Sequence, residues 1–325
     1  MQHYQLMTSK VRSQSHTVLP VLVLALAAAL LAGCRKQVPP SQRETEVKLE
    51  TGAGSWSNDF TILLPEVSDE PNGGNDYVGF DTSHSSDGYI CVRYLGKAEK
   101  VKLQLFKDTS ITYTYNIAPD ENAVIPMSLG SGLYSITVYE NIQDNDYAMV
   151  YAEDLDVQLK DELTPFLYPN QYVKFTEESD TTSLARDLTN GCDNELDAVA
   201  KVYDYMIKNI TYDYDKAENV QPGYLPDVDE ILKIKTGICF DYSAVMAAML
   251  RSVGIPTRME IGYSGDAYHA WVSVYVKDVG WINDIIQFDG SVWTLMDPTF
   301  DANADGKTSL IGSGKKTEYT MMYNY

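Results

Sequence analysis

Between Thr61 and Leu159 the chain repeats one pattern: a short run of β-branched, aromatic and aliphatic residues, then a few turn formers, then another run. The runs are Tyr89–Tyr94, Val101–Phe106, Ile111–Tyr115, Ala123–Ile125, Leu133–Tyr139, Tyr147–Tyr151 and Leu155–Val157. Several alternate with period two, which sends successive side chains to opposite faces of a sheet. Asp108-Thr109-Ser110, Asp120-Glu121-Asn122 and Gly130-Ser131-Gly132 occupy the gaps, and such residues turn readily. No helical period interrupts the series, so it predicts an antiparallel β-sandwich. Nothing in it looks catalytic. His84, its one histidine, lies in a Ser/Asp-rich loop and reads as a solvated residue.

From Asp161 onward the texture changes. Pro165-Phe166-Leu167-Tyr168-Pro169-Asn170 reads as an extended interdomain segment. Leu196, Val199, Val202, Tyr203, Met206 and Ile210 then fall on one helical face. A Tyr/Asp-rich loop, Tyr212-Asp213-Tyr214-Asp215, and a short helix over Val228 to Lys235 follow. Next comes Thr236-Gly237-Ile238-Cys239, running into strong helix formers and stopped by Gly254-Ile255-Pro256. Cys239 therefore sits in the first turn of a helix, where unpaired N–H groups and the dipole favour a thiolate. The preceding Gly237 lets the backbone turn sharply.

His269 is the one histidine of this half, inside the strand pattern Tyr268 to Val276. A second strand, Val292 to Met296, ends at Asp297-Pro298. Antiparallel pairing of the two strands would set Asp297 beside His269, where a carboxylate fixes the imidazole tautomer. Singly, each residue has an ordinary reading: a buried helix-start cysteine, a structural histidine, a turn. The order Cys, His, Asp on helix start, strand and strand end is what points to a nucleophile with its base and orienting acid.

Gly237-x-Cys239 with its helix, Tyr268-His269-Ala270-Trp271 and Asp297-Pro298-Thr299 together resemble the transglutaminase-like superfamily, and specifically its bacterial lipoprotein branch. The resemblance covers about residues 195–300. It implies a papain-like α+β fold over 161–325, with Cys239 as nucleophile and His269 and Asp297 on the sheet. The chemistry that follows is attack of the thiolate on an amide carbonyl and protonation of the leaving amine by the imidazole. The resulting thioester is resolved by an amine or by water. The Cys239 N–H is expected in the oxyanion hole. Tyr212 or Tyr214 is the candidate side-chain donor, and Asp241 and Tyr242 are candidates to line the site, with structural roles equally open.

The N-terminus reads as a leader. Lys10 and Arg12 precede an apolar run of twelve residues from Val21 to Ala32, shorter than the roughly 20 that span a bilayer. It ends in Leu31-Ala32-Gly33-Cys34, which resembles the bacterial lipobox. Residues 1–33 are then a signal peptide, Cys34 is lipidated, and 34–58, polar with Pro39-Pro40, is a flexible tether. The expected protein is exported, anchored to the outer face of a bacterial membrane, with an immunoglobulin-like β-sandwich over 59–160. With Cys34 acylated, Cys91, Cys192 and Cys239 remain, too few and too scattered for a disulfide framework.

The net charge of −21 excludes nucleic-acid binding through a phosphate-neutralising patch. No cofactor and no zinc spacing is evident. Asp301, Asn303 and Asp305 begin like a calcium loop, but Gly312 stands where the twelfth position needs an acid, so a plain turn is expected. The expected partner is a protein or peptide substrate at the cell envelope; the sequence does not speak to oligomeric state. The competing reading is a binding or scaffold lipoprotein whose enzyme-like half is degenerate.

Overall fold

The computed structural model describes residues 56–108, 111–264, 266–282, 287–288, 293–294 and 319–325. The expected leader, Cys34, most of the tether, Asp297 and the Asp301-Asn303-Asp305 loop lie outside these residues.

The first half holds the strands β1 (Gly73–Gly74), β2 (Val78–Asp81), β3 (Tyr89–Tyr94), β4 (Val101–Phe106), β5 (Tyr113–Ile117), β6 (Asn122–Pro126), β7 (Gly132–Gln143) and β8 (Asp146–Val157). They pair into two antiparallel sheets, ordered β1-β2-β3-β6 and β5-β4-β7-β8. β4, β5 and the first half of β7 alternate and bury one face each, whereas β3 is buried on both. Leu103, Leu105, Tyr113, Tyr115, Ile136 and Val138 of one sheet and Val78, Phe80, Ile90 and Val92 of the other join a single apolar cluster.

Two departures from the sequence reading have local causes. Tyr147–Tyr151 and Leu155–Val157 belong to one strand, β8, because this edge strand is exposed on both faces at the charged Glu153 and Asp154 between them. There Asp154 accepts a hydrogen bond from Ser135 Oγ across the ladder at 2.6 Å. β2 went unread because it has four residues and contains Gly79, whose bare Cα faces Pro71.

The second half contributes α1 (Asp180–Thr189), α2 (Glu195–Asn209), β9 (Thr211–Tyr212), α3 (Tyr214–Asn219), α4 (Val228–Ile234), β10 (Thr236–Gly237) and α5 (Cys239–Ser252). It continues with β11 (Thr257–Ser264), β12 (Ala267–Val276), β13 (Gly280–Ile282), β14 (Gln287–Phe288), β15 (Trp293–Thr294) and β16 (Tyr319–Asn324). The expected α2 and α4 form as periodicity requires, each capped by an acceptor: Asn194 takes the Asp197 N–H and Asp227 the Glu230 N–H. α1 was not anticipated because it is rich in β-branched Thr. Its buried threonines are paired: Thr181 Oγ donates to Asp229 Oδ1 at 2.6 Å and Thr182 Oγ to Thr176 O at 2.7 Å. α3 fell within the expected Tyr/Asp loop; Asp213 caps it by accepting from the Lys216 N–H.

α5 is apolar on all sides, the mark of a central helix. Every residue from Asp241 to Ser252 is buried, against α1, α2 and α4 and against the antiparallel sheet β13-β12-β11-β16. Its last turn carries Arg251, fully buried, where a guanidinium needs carbonyls around it. Nε and Nη2 donate to Thr257 O at 2.9 and 2.8 Å, Nη1 to Tyr168 O at 2.7 Å, and Nη2 also to Tyr325 O.

The described residues, from Trp56 onward, belong to one compact unit. The apolar cluster is continuous from the β5-β4-β7-β8 sheet to α5. Tyr113 stands at the join: its ring meets Tyr323 and Tyr325 edge-on, and its hydroxyl donates to Asn324 Oδ1 at 2.9 Å and accepts the Asn324 N–H at 3.1 Å. Ser128 Oγ donates to the Asn324 carbonyl at 2.8 Å. The high tyrosine content is thus spent partly on burying rings while keeping their hydroxyls paired.

Candidate active site

The turn into α5 is built by backbone pairing. α4 ends on Lys235 in the left-handed region at φ 56°, and Thr236–Gly237 then runs parallel to Thr211–Tyr212. Gly237 is needed here for space. A Cβ on it would lie 2.7 Å from the Asp241 Cβ, and its φ is not positive, so close approach is the reason for the glycine. Ile238 is the N-cap, and Asp241, three residues on, turns back so that its Oδ2 accepts the Ile238 N–H at 2.8 Å. Cys239 is the first residue of the helix, as its sequence context requires.

Around the sulfur stand the backbone N–H groups of Phe240 and Ala270 and the hydroxyl of Tyr212. Burial pushes the thiol above its ordinary range, and the two N–H groups pull it back. The Asp241 charge adds to the upward push, whereas the Tyr212 hydroxyl opposes it. Tyr212 itself is raised to about 12, chiefly by burial, while the Cys239 N–H works in the other direction. Its hydroxyl therefore lies at both the N–H and the thiol of Cys239. Tyr214 is exposed at the start of α3, its ring 5.0 Å from that of Tyr212.

Ala270 follows His269 on β12, so the strand brings the histidine's backbone to the nucleophile turn. The imidazole makes no hydrogen bond to the thiol among the described residues. His269 is buried, pairs in register with Gly262, and lies 6.3 Å from the Trp271 ring. Its Nε2 has no hydrogen-bond partner among the described residues. Burial lowers its pKa from the ordinary 6.5 to about 4, which keeps the ring neutral near pH 7. Alternation along β12 places Trp271 and Ser273 on the same side. Both donate to the buried Glu260 Oε2, at 2.6 and 2.7 Å.

The expected partner strand of β12 is only partly described: Trp293–Thr294 pairs with Gln287–Phe288, and Asp297 lies outside the described residues. Asp241 and Tyr242 are both fully buried. Tyr242 donates to the Ile210 carbonyl, and Asp241 accepts from Lys216 Nζ at 2.6 Å and Tyr224 Oη at 2.6 Å as well as from Ile238. Lys216, Tyr224 and Glu260 escaped the sequence reading. Glu260 alone had a signal, an acid inside the apolar run Met259-Glu260-Ile261; Lys216 and Tyr224 lie in loop-like sequence without period. Among the described residues no group of His, Cys, Asp and Glu is placed to hold a metal ion.

Residues 182–283 match the model of the transglutaminase-like superfamily. The match contains Cys239 and His269 and ends before Asp297. The uncharacterized protein YebA of Bacillus subtilis is 34% identical over 125 residues, which cover 31% of this chain and 16% of that protein. The chain therefore spans only a small part of that relative's length.

Among solved structures, a provisionally assigned cysteine protease from Cytophaga hutchinsonii is 16% identical with a TM-score of 0.34, over 56% of this chain and 60% of that one. Red sea bream transglutaminase is 15% identical with a TM-score of 0.26, over 63% of this chain and 49% of that one. Scores of this size do not by themselves establish a common architecture.

Proposed function

We propose that the protein is a thiol-dependent acyltransferase or hydrolase of protein or peptide amides, with Cys239, His269 and Asp297 as its catalytic residues. The observation that carries this reading is the seat of Cys239: the first turn of a buried helix, its sulfur held by two backbone N–H groups and the Tyr212 hydroxyl. Backbone donors aimed at a sulfur stabilise a thiolate as it forms. In the reaction, Cys239 Sγ bonds to the amide carbonyl carbon and its proton passes to His269. The Cys239 N–H and Tyr212 hydroxyl receive the charge on the oxygen. The C–N bond then breaks as His269 returns the proton to the leaving amine, and the thioester is taken up by an amine or by water. Asp297 at the buried Nε2 would supply the acceptor that this atom needs and hold the tautomer.

The reading extends to the rest of the chain. The two antiparallel sheets face each other as an immunoglobulin-like sandwich that supports the core, and Cys34 anchors the protein by lipid outside a bacterial membrane, the tether giving it reach.

Alkylation of Cys239 by iodoacetamide, mapped by mass spectrometry, tests the nucleophile: it should slow in His269→Ala, where no imidazole is left to take the proton that burial favours on the sulfur. An amine probe offered with a glutamine-rich protein then separates incorporation from cleavage. One observation favours a non-catalytic binding protein instead, namely that imidazole and thiol are not hydrogen-bonded to each other. That reading prevails if Cys239 is equally reactive with or without His269.

A further inference from the structure

Asp241 lies two residues after the proposed nucleophile. It is fully buried, and its charge disfavours the Cys239 thiolate. A buried carboxylate persists only when paired and hydrogen-bonded. Here the helix N-terminus supplies part of that support through the Ile238 N–H at 2.8 Å. The rest comes from outside the helix. Lys216 Nζ lies 2.6 Å from Oδ2, and Tyr224 Oη donates to Oδ1 at 2.6 Å. The same ammonium reaches Tyr224 Oη at 2.8 Å and sits 4.2 Å above that ring.

Both partners belong to the segment 211–224, whose first residues pair with β10 and include Tyr212. Backbone bonds tie it to the nucleophile turn as well, Thr211 N–H to Lys235 O and Asp213 N–H to Gly237 O, each 2.9 Å. The ion pair is thus a charged side-chain clasp between this segment and α5, beside the Tyr212 hydroxyl at Cys239.

We propose that Lys216 is a positioning residue for the acyl-transfer site: paired with Asp241, it holds the segment bearing Tyr212 against Cys239 and cancels the negative charge beside the sulfur. The proposal rests on Cys239 being the nucleophile. The titratable groups that face the sulfur are Tyr212 from β9, Asp241 from α5 and Tyr268 from β12, with His269 the neighbour of Ala270. Among the described residues, Lys216 is the one cationic partner of Asp241. With Lys216 gone, Asp241 keeps the Ile238 N–H and the Tyr224 hydroxyl but loses its only counter-charge among the described residues, and the thiolate beside it loses that compensation.

The test is the pH dependence of iodoacetamide alkylation at Cys239 in the full chain, the adduct located by peptide mapping. Lys216→Met should move the alkylation midpoint up by about half a unit or more, a roughly threefold or larger loss of rate at neutral pH. Lys216→Arg should recover most of it. The charge-neutral pair Lys216→Met with Asp241→Asn should bring the midpoint back toward wild type. If Lys216→Met yields no folded protein, Lys216→Gln is read in its place. A midpoint unchanged by loss of the ammonium overturns the proposal, because a purely structural contact would not move it. If wild-type Cys239 is unreactive and indifferent to His269→Ala, the nucleophile reading has failed first, and the two failures are told apart.

Discussion

Replacing Asp297 by Asn asks directly whether that carboxylate faces His269. Burial alone takes the imidazole from 6.5 to about 4. That is about 2.5 units, or on the order of 3 kcal/mol of bias against the charged ring. An opposite charge within about 4–6 Å typically raises a histidine by about 1–3 units. In the wild-type protein His269 should therefore titrate at least about one unit above its value in Asp297→Asn, where burial acts unopposed. The sign follows for stability as well. In the variant the folded pKa lies below the unfolded one, so the neutral ring's contribution is fully present above pH 6.5 and is lost as the pH falls toward 4. Imidazole NMR across that range, with His269→Gln to assign the resonance, measures the shift. Urea unfolding at pH 7 and at pH 4.5 should show Asp297→Asn losing about 2 kcal/mol or more beyond the loss in a variant that also carries His269→Gln. Superimposable His269 titrations with and without the carboxylate would refute the pairing, and with it the role assigned to Asp297.

Other substitutions read separate parts of the argument. Gly237→Ala sets a Cβ against Asp241, and should cost about 1–3 kcal/mol in urea unfolding while slowing Cys239 alkylation. Tyr212→Phe removes the proposed oxyanion donor but no apolar contact, so the acylation rate should fall about 10²-fold with little change in Tm. Arg251→Ala leaves the carbonyls of Thr257, Tyr168 and Tyr325 without their donor, and about 3 kcal/mol or more should be lost in denaturant titration. Tyr113→Phe strips both hydroxyl bonds to Asn324; a loss of about 1–2 kcal/mol is expected, with faster amide exchange in β16.

Much of the local structure is legible in the chain itself, because it depends on neighbours a few residues apart. The period-two runs reappear as β3 and β4 with the same bounds, and the apolar stripe from Leu196 becomes α2. Cys239 is placed at a helix start by Gly237 before it, helix formers after it and Gly254-Ile255-Pro256 at the end. Tertiary contacts decided what the pattern could not carry. α1 persists despite its threonines because Asp229 and Thr176 O accept their hydroxyls. Gly237 is a glycine because of the Asp241 side chain, a contact invisible to backbone reasoning. Which tyrosine meets the nucleophile was open between Tyr212 and Tyr214; the pairing of β9 with β10 turns the first inward and leaves the second exposed. Likewise Lys216, distant in sequence from Asp241 and set in loop-like surroundings, acquires meaning only when the fold brings its ammonium to a buried carboxylate. Short-range sterics and side-chain period write the elements into the sequence, whereas desolvation, which shifts the titration of Cys239 and His269, exists only once the chain has closed around them.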